Sequence, residues 1–144
     1  MKPNESSTES VVSAFFAAVA SGDADAIATL FADDIDWYVG GNPALPWTGT
    51  RQHRSDVAPY FRTLWPHFVS SESSSVIDQL IVSGTDAVVF ATFKNKAAST
   101  GRAIHMPVVL HLRVTMGAIV MLHFYEDTWL VSSAFFPEAP MSST

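Results

Sequence analysis

Cysteine is absent from this 144-residue chain, and charged side chains are scarce, at 15% of the total. Without a thiol there can be no disulfide framework, no thiolate zinc site and no cysteine nucleophile. Positive charge is in short supply as well: eight basic against fourteen acidic residues give a net charge of −6. That balance opposes binding to phosphate backbones and anionic lipid, so neither nucleic acid nor a membrane is an expected partner. Long apolar runs are also missing. The longest, Ala14 to Ala20, falls far short of the roughly 20 residues needed to cross a bilayer. The stretch Met1 to Ser10 is polar and acidic, unlike the basic-then-apolar start of a secretory signal, and a cytoplasmic location is expected.

What the chain does have is a 48% hydrophobic content, enough for one core in too little length for two ordinary domains. A single domain over 1–144, with short flexible tails at about 1–6 and 137–144, is expected. Ser6-Ser7-Thr8-Glu9 has the form of a capping box, and Val11, Val12, Phe15, Phe16 and Val19 follow at helical spacing. Ser21-Gly22 closes that helix, and Asp23 can cap a short second one carrying Ile27, Leu30 and Phe31. Ile35 to Val39 alternates as a strand. Gly40 to Thr50 reads as a loop whose Trp47 is placed to cover a cavity. Ser55 can start a third helix with apolar positions at Val57, Tyr60, Phe61, Leu64, Trp65 and Phe68. Beyond Ser75 the period changes to two in Val76–Val82, Asp86–Lys96, Ala103–Thr115 and Ala118–Trp129, predicting an antiparallel meander. Helices set apart from an antiparallel sheet define an α+β order. A strongly curved sheet with a helix across it makes a cone whose open end is a pocket.

Three segments carry a family resemblance: Leu30-Phe31-Ala32-Asp33-Asp34 before the first strand, Trp47-Thr48-Gly49-Thr50 ahead of the third helix, and Gly117-Ala118-Ile119 through Tyr125-Glu126-Asp127 in the last strand. From about Glu9 to Trp129 the chain resembles the NTF2-like superfamily, and within it the SnoaL-like polyketide cyclases and ketosteroid-isomerase-like proteins. The resemblance implies an NTF2-like cone with three N-terminal helices packed on a strongly curved antiparallel sheet. For activity it implies only a pocket, since members isomerise, cyclise, dehydrate, open epoxides or merely bind. Ketosteroid isomerases place their general base a few residues after the F-A-D-D stretch, where this chain has Trp37-Tyr38-Val39. That departure argues against steroid isomerisation.

Period two in the last strand puts Met121, His123, Tyr125 and Asp127 on one face and Val120, Leu122 and Phe124 on the other. In the strand before it, His105, Val109, His111 and Arg113 share a face. Pairing these strands would gather His111, His123, Tyr125 and Asp127, the one dense set of titratable groups in a charge-poor chain. If that face lines the cone, a desolvated carboxyl at Asp127 would serve as general acid/base with His111 or His123 assisting. The resemblance implies the same roles, since SnoaL-like cyclases use a last-strand Asp with a His on the neighbouring strand. Tyr60 is a candidate hydrogen-bond donor to developing oxyanion charge. Phe16, Trp37, Trp47, Trp65 and Tyr125 are candidate walls for a flat apolar ligand. A metal set of His111, His123 and Asp127 lacks supporting spacing, so no metal and no cofactor is expected.

The opposite reading makes that polar face a half-solvated outer surface and Asp127 a capping residue at the strand's end. Arg51, His53 and Arg54 read as a solvated cluster. The expected function is a cofactor-independent enzyme of isomerase, cyclase or lyase type acting on a carbonyl or polycyclic compound. The alternative is a non-catalytic binding protein for a small apolar ligand, and a protein-interaction module on the open sheet face is a third. A homodimer through the outer sheet face is expected, because helices can cover only one of the two faces.

Overall fold

A computed structural model describes residues 3–137. The chain runs α1 (Pro3–Ser21), α2 (Ala24–Ala28), β1 (Phe31–Val39), β2 (Gly49–His53), α3 (Val57–Leu64), β3 (Ser74–Ser83), β4 (Asp86–Lys96), β5 (Ala103–Thr115), β6 (Ala118–Tyr125) and α4 (Thr128–Phe135). Three expectations change at once. The N-terminal tail expected at about 1–6 is helical from residue 3, whereas the tail expected at 137–144 lies, apart from Pro137, outside the described residues. The third helix gives way to a 3₁₀ turn at Trp65–His67, where Pro66 offers no N–H to continue an α-helix. The last strand stops at Tyr125, and of the residues expected to extend it Asp127 caps α4 while Thr128 and Trp129 begin it.

Burial explains the early start of α1. The Thr8 hydroxyl is buried between the carbonyls of Asn4 (2.8 Å) and Gly84 (3.0 Å), and the Gly84 N–H donates to the Glu5 carboxylate at 3.0 Å. The first turns are thereby tied to the β3–β4 hairpin. The segment expected as a loop over Gly40–Thr50 ends in β2, which starts at Gly49, runs on to His53 and pairs antiparallel with β1 through Trp37↔Arg51 and Val39↔Gly49. All six strands form one sheet in the order β2-β1-β6-β5-β4-β3. The β1–β6 pair is parallel and the others antiparallel, so the expected antiparallel sheet carries one parallel seam. Register shifts in β1, in β3 and between Arg113 and Val114 let the sheet bend.

The core lies on the concave side, where Trp37, Val39, Val89, Leu110, Leu112 and Leu122 meet Val12, Phe15, Val57 and Phe61 from the helices. Among the described residues, the β5–β6 turn is the one place where a non-glycine residue takes a positive φ: Met116 at 51°, followed by Gly117 at 77°. Consecutive positive φ angles in a two-residue hairpin suit Asn-Gly and penalise an unbranched apolar side chain that gains nothing, since Met116 is fully exposed. Met116→Asn should therefore raise unfolding stability by about 0.5–1 kcal/mol, measured by urea denaturation. An unchanged midpoint would show that Met116 adopts this conformation without strain.

Candidate functional site

The period of two decides which side chains enter the cone. Leu112 opposes Leu122 and Leu110 opposes Phe124 on the concave face. The next position of that parity beyond β6 is Glu126, and it lines the cavity with them. His123, Tyr125 and Asp127 have the opposite parity and face away. The cavity has a volume of about 980 Å³ and draws on α1 (Phe15, Phe16), β1 (Trp37, Val39), the β1–β2 loop (Trp47), α3 and its extension (Tyr60, Phe61, Trp65, Phe68), β4 (Phe93, Asn95) and α4 (Val131). Ser70 and the strand entry Ser73–Ser75 stand at its edge.

The structure thus places Tyr60, Phe16, Trp37, Trp47 and Trp65 of the sequence-predicted set in the cavity wall. It places the titratable cluster elsewhere. His111 Nε2 is 2.9 Å from Asp86 Oδ1 on the convex face, where Arg113 Nε donates to the same oxygen at 3.0 Å. Burial works against the ionised Asp86 carboxyl, but hydrogen bonds from His111 and Arg113 outweigh it and hold the group below the usual carboxylate range. His123 Nε2 meets Asp36 Oδ1 at 3.0 Å on the same face. Tyr125 is 52% exposed. Asp127 is exposed and caps α4, its Oδ1 accepting the Leu130 N–H at 3.0 Å. Of the expected His, His, Tyr and Asp convergence, only His111 and His123 stand opposite each other, outside the cone and each paired with a different aspartate, while Asp127 is engaged in the α4 cap. Apolar side chains compete for the concave face and polar ones are left to solvent.

Four polar side chains remain within the apolar wall: Glu126, Tyr60, Asn95 and Trp37. Burial, helped by the charge of neighbouring Asp127, pushes the Glu126 carboxyl up to about 7. Burial also holds the Tyr60 phenol far above the ordinary tyrosine range; the Glu126 charge adds to this and Arg51 partly offsets it. Arg51 stacks on the Tyr60 ring at 4.9 Å and donates to the Trp47 carbonyl at 3.1 Å. The Trp37 indole N–H is buried with no hydrogen-bond partner. The Trp37 ring meets Tyr60 edge-on at 4.7 Å, and Tyr60 meets Phe61 at 4.9 Å, so the polar tip of Tyr60 is carried on a packed aromatic stack. No group of His, Asp and Glu among the described residues could hold a metal ion, and none of their helices is long and apolar enough to span a membrane.

A curved sheet closed by helices around an aromatic cavity with one carboxyl is the architecture of a cone, with a cavity of small-molecule size at its open end. The chain belongs to the SnoaL-like domain family, whose sequence pattern matches residues 12–122. No curated protein matches it. Among solved structures it is similar to an NTF2-like protein of unknown function from Burkholderia pseudomallei, at 22% identity over 90% of this chain and 98% of that one, with a TM-score of 0.81. It is similar also to a protein described as a SnoaL-like polyketide cyclase from Jannaschia sp. CCS1, with 15% identity, coverage of 96% and 98%, and a TM-score of 0.81. A third is a protein with a ketosteroid isomerase-like fold from Catenulispora acidiphila, solved in complex with trimethylamine, with 17% identity, coverage of 90% and 97%, and a TM-score of 0.71. These likenesses establish the NTF2-like cone.

Glu126 was missed because the sequence reading followed the titratable face of the last strand. The available signal was the reverse: a carboxylate two positions beyond Phe124 on the apolar face. Its raised pKa has a stability consequence whose sign is fixed. The folded chain binds the Glu126 proton more tightly than the unfolded chain, whose carboxyl titrates near 4.5. Stability is therefore lost as pH rises from about 4.5 to about 7, by an amount on the order of 3 kcal/mol, and stays level above that. Glu126→Gln should remove this slope and be more stable than wild type at pH 8, as read by denaturant unfolding at several pH values. Equal slopes in both proteins would mean that Glu126 is solvated.

Proposed function

We propose that this chain is a cofactor-independent small-molecule enzyme of isomerase, cyclase or lyase type, acting on an apolar carbonyl or polycyclic compound with Glu126 as its acid/base group. The observation that supports this best is a carboxyl titrating at about 7 inside an aromatic cavity, with no hydrogen bond or ion pair to another described residue. A group with a pKa near the working pH both accepts and returns a proton with little penalty. Glu126 takes a proton from carbon adjacent to the substrate carbonyl. The electrons of that C–H bond move into an enolate, and the resulting carboxylic acid returns the proton to carbon. Tyr60 stays protonated throughout because burial disfavours its phenolate, so its O–H is available to stabilise the enolate oxygen. The Trp37 N–H is a second unused donor in the same wall.

Asp127 takes a different role from the one expected of it: it caps α4 and adds to the electrostatic pressure on Glu126. The test is α-proton exchange of 2-tetralone in D₂O, followed by NMR. Glu126→Gln should slow protein-catalysed exchange by about 10²–10⁴, while Asp127→Asn, which keeps the cap, should stay within about threefold of wild type. Exchange at the wild-type rate in Glu126→Gln would refute the assignment. The alternative, a binding protein without turnover, draws support from the aromatic preponderance of the wall. It predicts no exchange above background in any variant.

The homodimer remains part of this proposal. The convex face exposes Val76, Ile81, Phe90 and Tyr125 at 60, 45, 38 and 52%, a patch that a second copy would cover. Light scattering should give twice the chain mass at micromolar concentration, and Phe90→Glu should give the monomer. A monomeric wild type would overturn it.

A further inference from the structure

Charge along the cavity wall is one-sided. Among the described residues that line it there is no Lys, Arg or His, and Glu126 is the single carboxyl. Ten aromatic rings share the same wall, from Phe15 on α1 to Phe124 on β6. An anionic ligand would meet a carboxyl with no counter-charge. A neutral ligand would leave Glu126 as buried and unpaired as before. An organic cation gains twice over, because ring faces attract positive charge within about 6 Å and a desolvated carboxylate attracts it over a longer range. Arg51 already illustrates the first effect on the Tyr60 ring, with its guanidinium 4.9 Å from the centroid. That cation donates to the Trp47 backbone and is not among the residues lining the cavity, so Glu126 is left without a partner.

We infer that the cavity takes an apolar molecule bearing an organic ammonium group, held against the faces of Trp37, Trp47 and Tyr60 and countered by the Glu126 carboxylate. This rests on the reading of the cavity as the ligand site and names the ligand class. It also fits the chemistry proposed there: a cation held by ring faces leaves the carboxylate oxygens unbonded and shifts Glu126 toward its proton-accepting form. A tertiary amine entering uncharged takes the Glu126 proton instead, and its N–H then donates to the carboxylate, so the ion pair forms inside the cavity without a bare ion having to enter it. The other ionisable groups around this region are Asp127 beside Glu126 in the chain, Tyr60 from α3, Arg51 stacked on Tyr60 from β2, and His67, whose ring lies 5.0 Å from that of Trp47.

The test is isothermal titration of the full chain with benzyltrimethylammonium and with neopentylbenzene, its neutral isostere. At pH 8 the cation should bind at least tenfold more tightly than the isostere. Its affinity should fall about tenfold between pH 8 and pH 6 as Glu126 takes up its proton, whereas the isostere's should not change. Glu126→Gln, with folding checked by circular dichroism, should weaken the cation at pH 8 about tenfold and abolish its pH dependence while leaving the isostere unchanged. If the isostere binds as tightly as the cation at pH 8, the ammonium class is wrong and the cavity still stands as a ligand site. If neither probe binds, both the inference and the reading of the cavity fall. The pH and isostere comparisons use wild-type protein, so a misfolded variant would not protect the inference.

Discussion

Strand alternation at the end of β6 is the constraint on which the site depends. Leu122 and Phe124 face the concave core opposite Leu112 and Leu110, and shifting the strand by one residue would exchange every buried side chain for an exposed one. That exchange would place His123 in the core and Leu122 in water, so the register is held by the burial of Leu122 and Phe124 on the concave side. Glu126 inherits its direction from this register and Asp127 inherits the opposite one. The α4 cap fixes Asp127 in turn, since the Leu130 N–H would otherwise be one of the unpaired donors at a helix start. A carboxylate that would be solvated at most positions on this chain is therefore pointed into an aromatic cavity by forces unrelated to its own chemistry.

Electrostatics in that cavity follow from what surrounds it. A buried carboxyl with a cation beside it would ionise readily, as Asp86 does on the convex face with His111 and Arg113. Glu126 has no such partner among the described residues, and the charge of neighbouring Asp127 repels its own. Two carboxyls of one sheet thus move in opposite directions because one has donors and the other has rings. Tyr60 responds in the same sense: burial keeps its proton on, and the phenol stays a donor.

The fold was largely legible in the sequence, because the helical spacing of Val57 to Phe68 and the alternation of the last four strands are strong periodic signals. What failed was local. β2 is short and polar, with Arg51, Gln52 and His53 among its five residues, so it lacks the apolar alternation that marks a strand. α4 was hidden because Thr128 and Trp129 continue the β-forming character of β6, and the capping carboxylate of Asp127 was read as chemistry. The cavity walls at Phe16, Trp37, Trp47, Tyr60 and Trp65 were legible as aromatic side chains on predicted inward positions. The acid/base candidate was not, because a search for clustered titratable residues favours the face that water, not the core, selects.

A wall that buries the Trp37 N–H without a partner, and gives the Tyr60 O–H and the Glu126 carboxyl no hydrogen bond to another described residue, is costly to fold. The cost is borne by the surrounding core, in which Trp37, Phe31, Ile27, Leu112 and Ile119 are almost entirely buried. A softer scaffold would let Glu126 reach solvent, or let Tyr60 and Glu126 close on each other as a satisfied pair. Either relaxation would stabilise the protein and remove the donors and the proton carrier from the cavity. Rigidity of the aromatic stack is thus what keeps these groups available, and a ligand with matching polarity recovers the interactions that folding gave up.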